Sequence, residues 1–396
     1  MIATKNVLKI VSILLLLLLS LYFITSRHQN LMYIYYDTDE NTSDDFEVIH
    51  TNAKSYNNTI PNSVDAMPEY IQPITPESEV LFPYPNITYL PHEILNSPWA
   101  TELKAKLQAA KVGKQLTYVT VNEDFFSVLI NWLSYAKLNA IHLLENLVVV
   151  CMDEPSDKIL SQKGILSQFV PVTDIVYSVE ELDKEKMYSA QVITRFTVLR
   201  ILNHWGYDVL QMDIDATLIN NIEPILDDLR DSDIIVSKTS AKGCPPQAAR
   251  KSWKFCPCMG LILIRSNVNT ERMWQALGRS KVEIAACDQS RFSSVLLDFN
   301  ITWTPFDYDT NHDYLKATSQ IEDLTVIALP QDVMCRNQCD AARLSSYYVW
   351  HPWSTHRGTG KQKVMASQTV WRIGDNWDTT LETVQSTMDW LDEVTI

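Results

Sequence analysis

The step in this chain most able to do chemistry is Asp213-Ile214-Asp215, directly after the apolar run Tyr207–Met212. If that run is a strand, carboxylates at i and i+2 project to one side of its extended backbone. Two like charges held that close repel unless a cation lies between them. Hard oxygen donors in an open position suit Mg2+ or Mn2+, and such an ion can grip a diphosphate. A solvated acidic loop is the plainer reading of any Asp-x-Asp step, but placement at a strand end favours the ion. Polar residues follow two other apolar runs in the same way: Asn122-Glu123-Asp124 after Leu116–Val121, and Asp153-Glu154 after Leu147–Cys151.

The elements that must position these groups alternate between short apolar runs and amphipathic stretches. Ser97-Pro98 reads as an N-cap and first helical residue, and Trp99, Leu103 and Leu107 recur at helical spacing up to about Ala110. Strands are expected at Leu116–Val121, Leu147–Cys151, Tyr207–Met212, Asp233–Ser237 and Gly260–Ile264. Helices are expected at Asp124–Leu138, Val192–Trp205, Glu271–Leu277 and Ser290–Leu297. Apolar strands separated by amphipathic helices predict an α/β fold, a mainly parallel sheet with helices on both faces. Such sheets bind ligands beyond the carboxyl ends of their strands, where the acids stand.

Charge divides the chain into three zones. The formal net charge of the 396 residues is −15, from 33 Lys+Arg and 48 Asp+Glu. Residues 1–28 carry Lys5, Lys9 and Arg27 and no acid; residues 29–95 carry 11 acids against Lys54 alone. The acidic balance argues against a nucleic-acid partner, which requires a basic footprint. Only 9 glycines, with no cluster, disfavour a glycine-rich phosphate loop. The run Ile10–Ile24, counted back to Val7 across Lys9, sits near the lower length limit of a bilayer span, and the flanking bases predict a signal-anchor with a short cytoplasmic tail, a type II arrangement. A cleaved signal peptide is the competing reading, disfavoured by the lack of an Ala-x-Ala-like site. Residues 29–95 hold 7 of the 17 prolines and no glycine, as a stiff lumenal stem would. Sequons stand at Asn41, Asn57, Asn86 and Asn300. Residues 96–396 form the third zone. Of the seven cysteines, Cys335 with Cys339 and the Cys244/Cys256/Cys258 group are expected to supply the disulfides of an oxidising lumen.

The stretch Phe196–Ala216 resembles the nucleotide-diphospho-sugar transferase family, and within it the retaining glycosyltransferases of family seventy-seven. The shared pattern is a helix, Gly206-Tyr207, apolar residues, then Asp213-x-Asp215 followed by Ala216-Thr-Leu-Ile-Asn-Asn221. Three further blocks agree in order: Val119–Asn122 with Asn131-Trp132-Leu133, then Met259–Ser266 with Asp288-Gln289, then Trp350–Trp353 with Gly358–Lys361 and Trp371. The resemblance spans about residues 115–375. It implies a GT-A type, Rossmann-like domain, a nucleotide-sugar donor of the UDP class and a divalent cation; together with the signal-anchor, the expected location is the Golgi membrane with the catalytic domain lumenal.

Carried over by position, the resemblance makes Asp213, Asp215 and His351 metal ligands, with His356 as the rival imidazole. Asp213 would also lie near the ribose. Thr120, Asn122 and Asp153 would line the nucleotide, Arg195 and Lys361 would neutralise diphosphate oxygens, and Asp288 would approach the transferred sugar. Arg195 could equally be a surface residue, and Asp288 an N-cap. Two departures stand out: Cys258 occupies a position where the family shows Asn, which a disulfide could explain, and Lys242–Phe255 is an insertion. The expected activity is transfer of a sugar to a hydroxyl of a glycan or glycoprotein, with retention. Two alternatives are a lumenal pseudoenzyme that binds sugar or nucleotide-sugar without turnover, and a glycosidase. The second is disfavoured because both acids share one strand end.

Overall fold

The computed structural model describes residues 92–175, 184–240, 247–279, 288–309, 312–319, 323–336, 339–351 and 359–373. The signal-anchor, stem and sequons Asn41, Asn57 and Asn86 lie outside the described residues. Among the described residues, no helix is long and apolar enough to cross a membrane.

Helix α1 (Pro98–Ala109) begins as its cap predicts: Ser97 Oγ accepts from Ala100 N at 3.4 Å, and Trp99, Leu103 and Leu107 are buried. The chain then runs through β1 (Gln115–Val121), α2 (Phe126–Asn139), β2 (Leu147–Cys151), α3 (Glu154–Gln162), β3 (Ser167–Phe169), α4 (Lys184–His204) and β4 (Asp208–Met212). Next come β5 (Thr217–Leu218), α5 (Glu223–Asp228), β6 (Ile234–Ser240), α6 (Gln247–Trp253), β7 (Phe255–Ile264), α7 (Val268–Arg279) and α8 (Asp288–Asp298). The remaining elements are β8 (Thr302–Pro305), β9 (Leu315–Thr318), β10 (Thr325–Leu329), β11 (Met334–Cys335), β12 (Val349–Trp350) and α9 (Thr359–Ser367).

Nine strands form one sheet in the order β3-β2-β1-β4-β7-β6-β10-β9-β8. Its alternation of side chains separates two cores. On β4, Leu210 and Met212 join α2 and Val119 on one face, while Val209 joins α4 residues Leu199 and Leu202 on the other. On β7, Leu261 and Leu263 belong to the first core and Ile262 and Ile264 to the second. Both faces are covered, as strands with no polar side demand.

The sheet is mixed rather than mainly parallel. Four ladders are parallel, β3–β2, β2–β1, β1–β4 and β6–β10. Four are antiparallel, β4–β7, β7–β6, β10–β9 and β9–β8. The expectation failed at β7. A strand buried on both faces reads as a continuous apolar run in either direction, so the run Gly260–Ile264 carries no sign of its polarity. The segment between β6 and β7 returns β7 antiparallel on its neighbour, for which no long crossover is required. β7 is also longer than expected, because Phe255–Met259 continues the ladder across an irregularity at Val236/Ser237.

Beyond the carboxyl end of β4 lies a second sheet of three short strands, β11-β12-β5. β12 is antiparallel to β5 and parallel to β11. It brings three distant parts of the chain to one place.

Candidate active site

β4 delivers the first acid. Asp213 N donates to Gly260 O at 2.9 Å, extending the β4–β7 ladder by one step. The chain then turns: Ala216 N donates to Asp213 O at 2.9 Å, and Asp215 lies within the turn. The two carboxylates therefore do not share one side of an extended strand, as the i, i+2 spacing implies. They converge because the backbone folds back between them. The turn feeds β5, and β5 pairs with β12 so that Trp350 lies opposite Thr217. The next residue, His351, is thereby carried to the acids.

His351 is buried, with Nε2 at 3.3 Å from Asp215 Oδ1 and 3.6 Å from Asp213 Oδ2. Gly260 makes room for it. A methyl group built there would collide with His351 Cε1 and Nδ1 and come within 3.3 Å of Asp213 Oδ2. Lys361, near the start of α9, ion-pairs with Asp215 Oδ2. From α4, Arg195 reaches Asp213 Oδ1 through one nitrogen and Asp288 Oδ2 through another. Asp288 opens α8, and its Oδ1 accepts from Gln289 N at 2.7 Å. It thus serves the helix start and the ion pair together. Gln211 Nε2 approaches Asp213 Oδ1 at 3.5 Å while donating to Met259 O at 2.9 Å.

The structure thus brings Asp213, Asp215, Arg195, Asp288, His351 and Lys361 into one network. Thr120, Asn122 and Asp153 stand at the ends of β1 and β2, joined to that network by no hydrogen bond among the described residues. Thr120 is half-buried. Asn122 Oδ1 accepts from Phe125 N at 3.2 Å, capping a short turn before α2. Asp153 caps α3 through Ser156 N at 2.9 Å, and its other oxygen accepts from Glu123 N at 2.7 Å. It ties the loop after β1 to the loop after β2. His356 lies outside the described residues.

One participant escaped sequence reasoning, and another was expected in a different role. Arg336, just after β11, donates from Nη1 to His351 Nε2 at 2.9 Å and to His351 O at 3.2 Å. A lone arginine between two cysteines carries no pattern; only the β11–β12 pairing exposes it. The other is Cys258. It is buried and free, so the disulfide expected of it is absent. Cys335 and Cys339 are bonded to each other, and Cys256 is disulfide-bonded. Cys256 packs at Ala249 under α6, whereas Cys258 lies beside Arg336 and His351.

The charges shift one another. Burial alone would raise the Asp215 carboxyl, but His351 and Lys361 more than offset it and hold the group well below the usual carboxylate range. Burial also opposes ionisation of Cys258, yet Arg336 and His351 pull its thiol below the ordinary value. Burial and Arg336 push His351 down, and the Asp215 carboxylate reverses this to a net rise. For Arg336, burial is outweighed by Cys258, Asp215 and Asp213, which raise it.

The sequence profile of the nucleotide-diphospho-sugar transferases matches residues 142–362. The chain belongs to that family. It is a glycosyltransferase, and the matched span contains Asp213, Asp215, Asp288, His351 and Lys361 as well as Asp153 and Arg195. No curated protein matches the transferase. Among solved structures it is similar to the bifunctional glycosyltransferase WbbM in its apo form, with a TM-score of 0.39 and 11% identity over 61% of this chain. The transferase spans 46% of that protein's length. It is also similar to mouse xyloside xylosyltransferase 1, apo form, with a TM-score of 0.31 and 11% identity over 46% of this chain and 82% of that one. A third is the galactosyltransferase LgtC in complex with donor and acceptor sugar analogs, with a TM-score of 0.36 and 11% identity over 66% of this chain and 97% of that one.

The residues of the transferase fit a divalent cation. One ligand atom each from Asp213, Asp215 and His351 lie within 4.8 Å of one another. Two carboxylates and one imidazole suit Mn2+ at least as well as Mg2+.

Proposed function

We propose that the chain is a metal-dependent glycosyltransferase of GT-A type. It takes a UDP-sugar donor and transfers the sugar to a hydroxyl of a glycan or glycoprotein with retention of anomeric configuration. The observation that carries the reading is the convergence of Asp213, Asp215 and His351 from two separate parts of the chain. Those three residues hold Mn2+ or Mg2+. The ion, when bound, neutralises the diphosphate that leaves from the sugar.

The chain's own residues do the rest. Lys361 stands beside Asp215 and supplies a point charge to diphosphate oxygens. Arg195 bridges Asp213 and Asp288, so it sets the distance between the ion-binding acid and the acid assigned to the transferred sugar. Its planar guanidinium adds positive charge where negative charge develops. Thr120 and Asn122 line the base and ribose, and Asp153 holds that wall by joining the loops after β1 and β2. The acceptor hydroxyl attacks as the glycosyl–phosphate bond loosens.

The N-terminal run is read as a signal-anchor in the Golgi membrane and the acidic zone as a stem, giving a type II protein whose transferase domain is lumenal. Asn300, exposed after α8, is proposed to carry a glycan, as are the stem sequons Asn41, Asn57 and Asn86.

The test uses the full-length chain in detergent, incubated with a panel of UDP-sugars and Mn2+, with UDP release as the readout. The expected result is release with one donor, lost on chelation and reduced by at least about a hundredfold in Asp215→Ala, as for removal of a principal electrostatic group. Release that is unchanged in Asp215→Ala would reject the metal site.

A further inference from the structure

We propose that Arg336 is a built-in counter-cation that competes with a divalent ion for His351 and the aspartate pair. The inference rests on the reading of Asp213, Asp215 and His351 as an ion site.

The position of Arg336 follows from strand pairing. In the parallel ladder of β11 and β12, Cys335 lies opposite Trp350, and His351 N donates to Cys335 O at 3.0 Å. The following residues, Arg336 and His351, are therefore neighbours. The Cys335–Cys339 disulfide closes the backbone around Arg336, and Arg336 N donates to Gln331 Oε1 at 2.9 Å. The side chain is tethered at its base and committed at its tip.

That tip meets the ring atom a metal needs. Nε2 of His351 faces Asp215 Oδ1 at 3.3 Å and Asp213 Oδ2 at 3.6 Å, and the same atom takes the Arg336 Nη1–H at 2.9 Å. An imidazole nitrogen has one lone pair in the ring plane. Given to a guanidinium hydrogen, it is not available to an ion. A guanidinium does not lose its charge, so this occupant is always a cation.

The charge count agrees. Asp213, Asp215 and Asp288 supply three negative charges, and Arg195, Lys361 and Arg336 supply three positive ones at the same place. Those six side chains balance one another. An ion entering between the aspartates gains His351 only if Arg336 withdraws from Nε2, and it meets like charge if Arg336 stays.

The rival explanation is that Arg336 only braces His351, since it also donates to His351 O at 3.2 Å. The two predict opposite signs. Full-length protein is titrated with MnCl2 without nucleotide-sugar, and free Mn2+ is followed by electron paramagnetic resonance. If Arg336 competes, Arg336→Gln binds Mn2+ about tenfold tighter or more, the direction and minimum scale of removing one full charge a few ångströms from a divalent ion. Arg336→Met gives the same reading should the Gln variant fail to fold. Equal or weaker binding in the variant overturns the proposal, because a bracing residue when lost loosens His351. Asp215→Asn, measured alongside, separates the two levels. Binding that is abolished by Asp215→Asn yet indifferent to Arg336 rejects the competition alone. Absence of binding in every protein rejects the ion site and the proposal with it.

Discussion

Gly260→Ala tests the packing that lets a strand, a turn and a distant histidine share one point. The added methyl overlaps His351 Cε1 and Nδ1 and stands 3.3 Å from Asp213 Oδ2. The backbone of Gly260 is held on the β4 side, where its carbonyl accepts from Asp213 N at 2.9 Å, and on the β6 side it falls in the irregularity opposite Val236/Ser237. The ring, fully buried, must retreat by roughly 1 Å to regain ordinary van der Waals separation. Overpacking of this kind costs about 1–3 kcal/mol of stability. For a domain of this size, that lowers the melting midpoint by roughly 2–4 °C per kcal/mol. The larger effect is expected on the site. A displacement of about 1 Å in a positioned group can cost on the order of a hundredfold in rate. His351 Nε2 would also leave its place 3.3 Å from Asp215 Oδ1, weakening the ion site. The assay is UDP release at saturating donor together with Mn2+ affinity and thermal unfolding. Gly164→Ala is the control. Gly164 follows α3 at φ 75, where alanine is strained, yet no atom lies within 4 Å of the added methyl. It should lower stability and leave Mn2+ affinity alone. Gly260→Ala with undiminished activity and Mn2+ affinity would refute the argument that glycine is required there for His351.

Two other perturbations address the charges. Arg195→Ala strips the shared partner from Asp213 and Asp288, and breaking a largely buried pair in this way costs about 3–5 kcal/mol; denaturant unfolding should show that loss, and Arg195→Lys, which reaches only one acid, should recover part of it. The second concerns pH. The folded carboxyl of Asp215 is held well below its unfolded value, so its contribution to stability is present above about pH 4 and is lost as pH falls through the folded value. Acid unfolding of Asp215→Asn should therefore show a shallower decline below about pH 4 than the parent, and identical acid profiles would contradict the assignment.

Local rules were enough for most elements. The Ser97-Pro98 cap, the run Leu147–Cys151 and the acids after Met212 are each written in neighbouring residues, because capping, burial and alternation act over a few positions. Helix extents were less legible. α4 begins at Lys184, several residues before the apolar periodicity that marks it, and α8 begins at Asp288 rather than Ser290. The direction of β7 was not legible at all, since a doubly buried strand looks the same from either end. The site divides along the same line. Asp213 and Asp215 announce themselves by spacing, but their convergence comes from a turn rather than an extended strand.

By itself, then, the sequence determined the alternation of strands and helices, the zoning of charge, and the acids that mark one strand end. These are properties of adjacent residues. The tertiary structure decided which partners those acids meet. His351 arrives through the pairing of β12 with β5, Arg336 through the pairing of β11 with β12, and Arg195 through the packing of α4 against the sheet. Each is a contact between segments far apart in the chain. Such contacts depend on sheet order, which hydrophobic pattern leaves open and only the assembled fold selects.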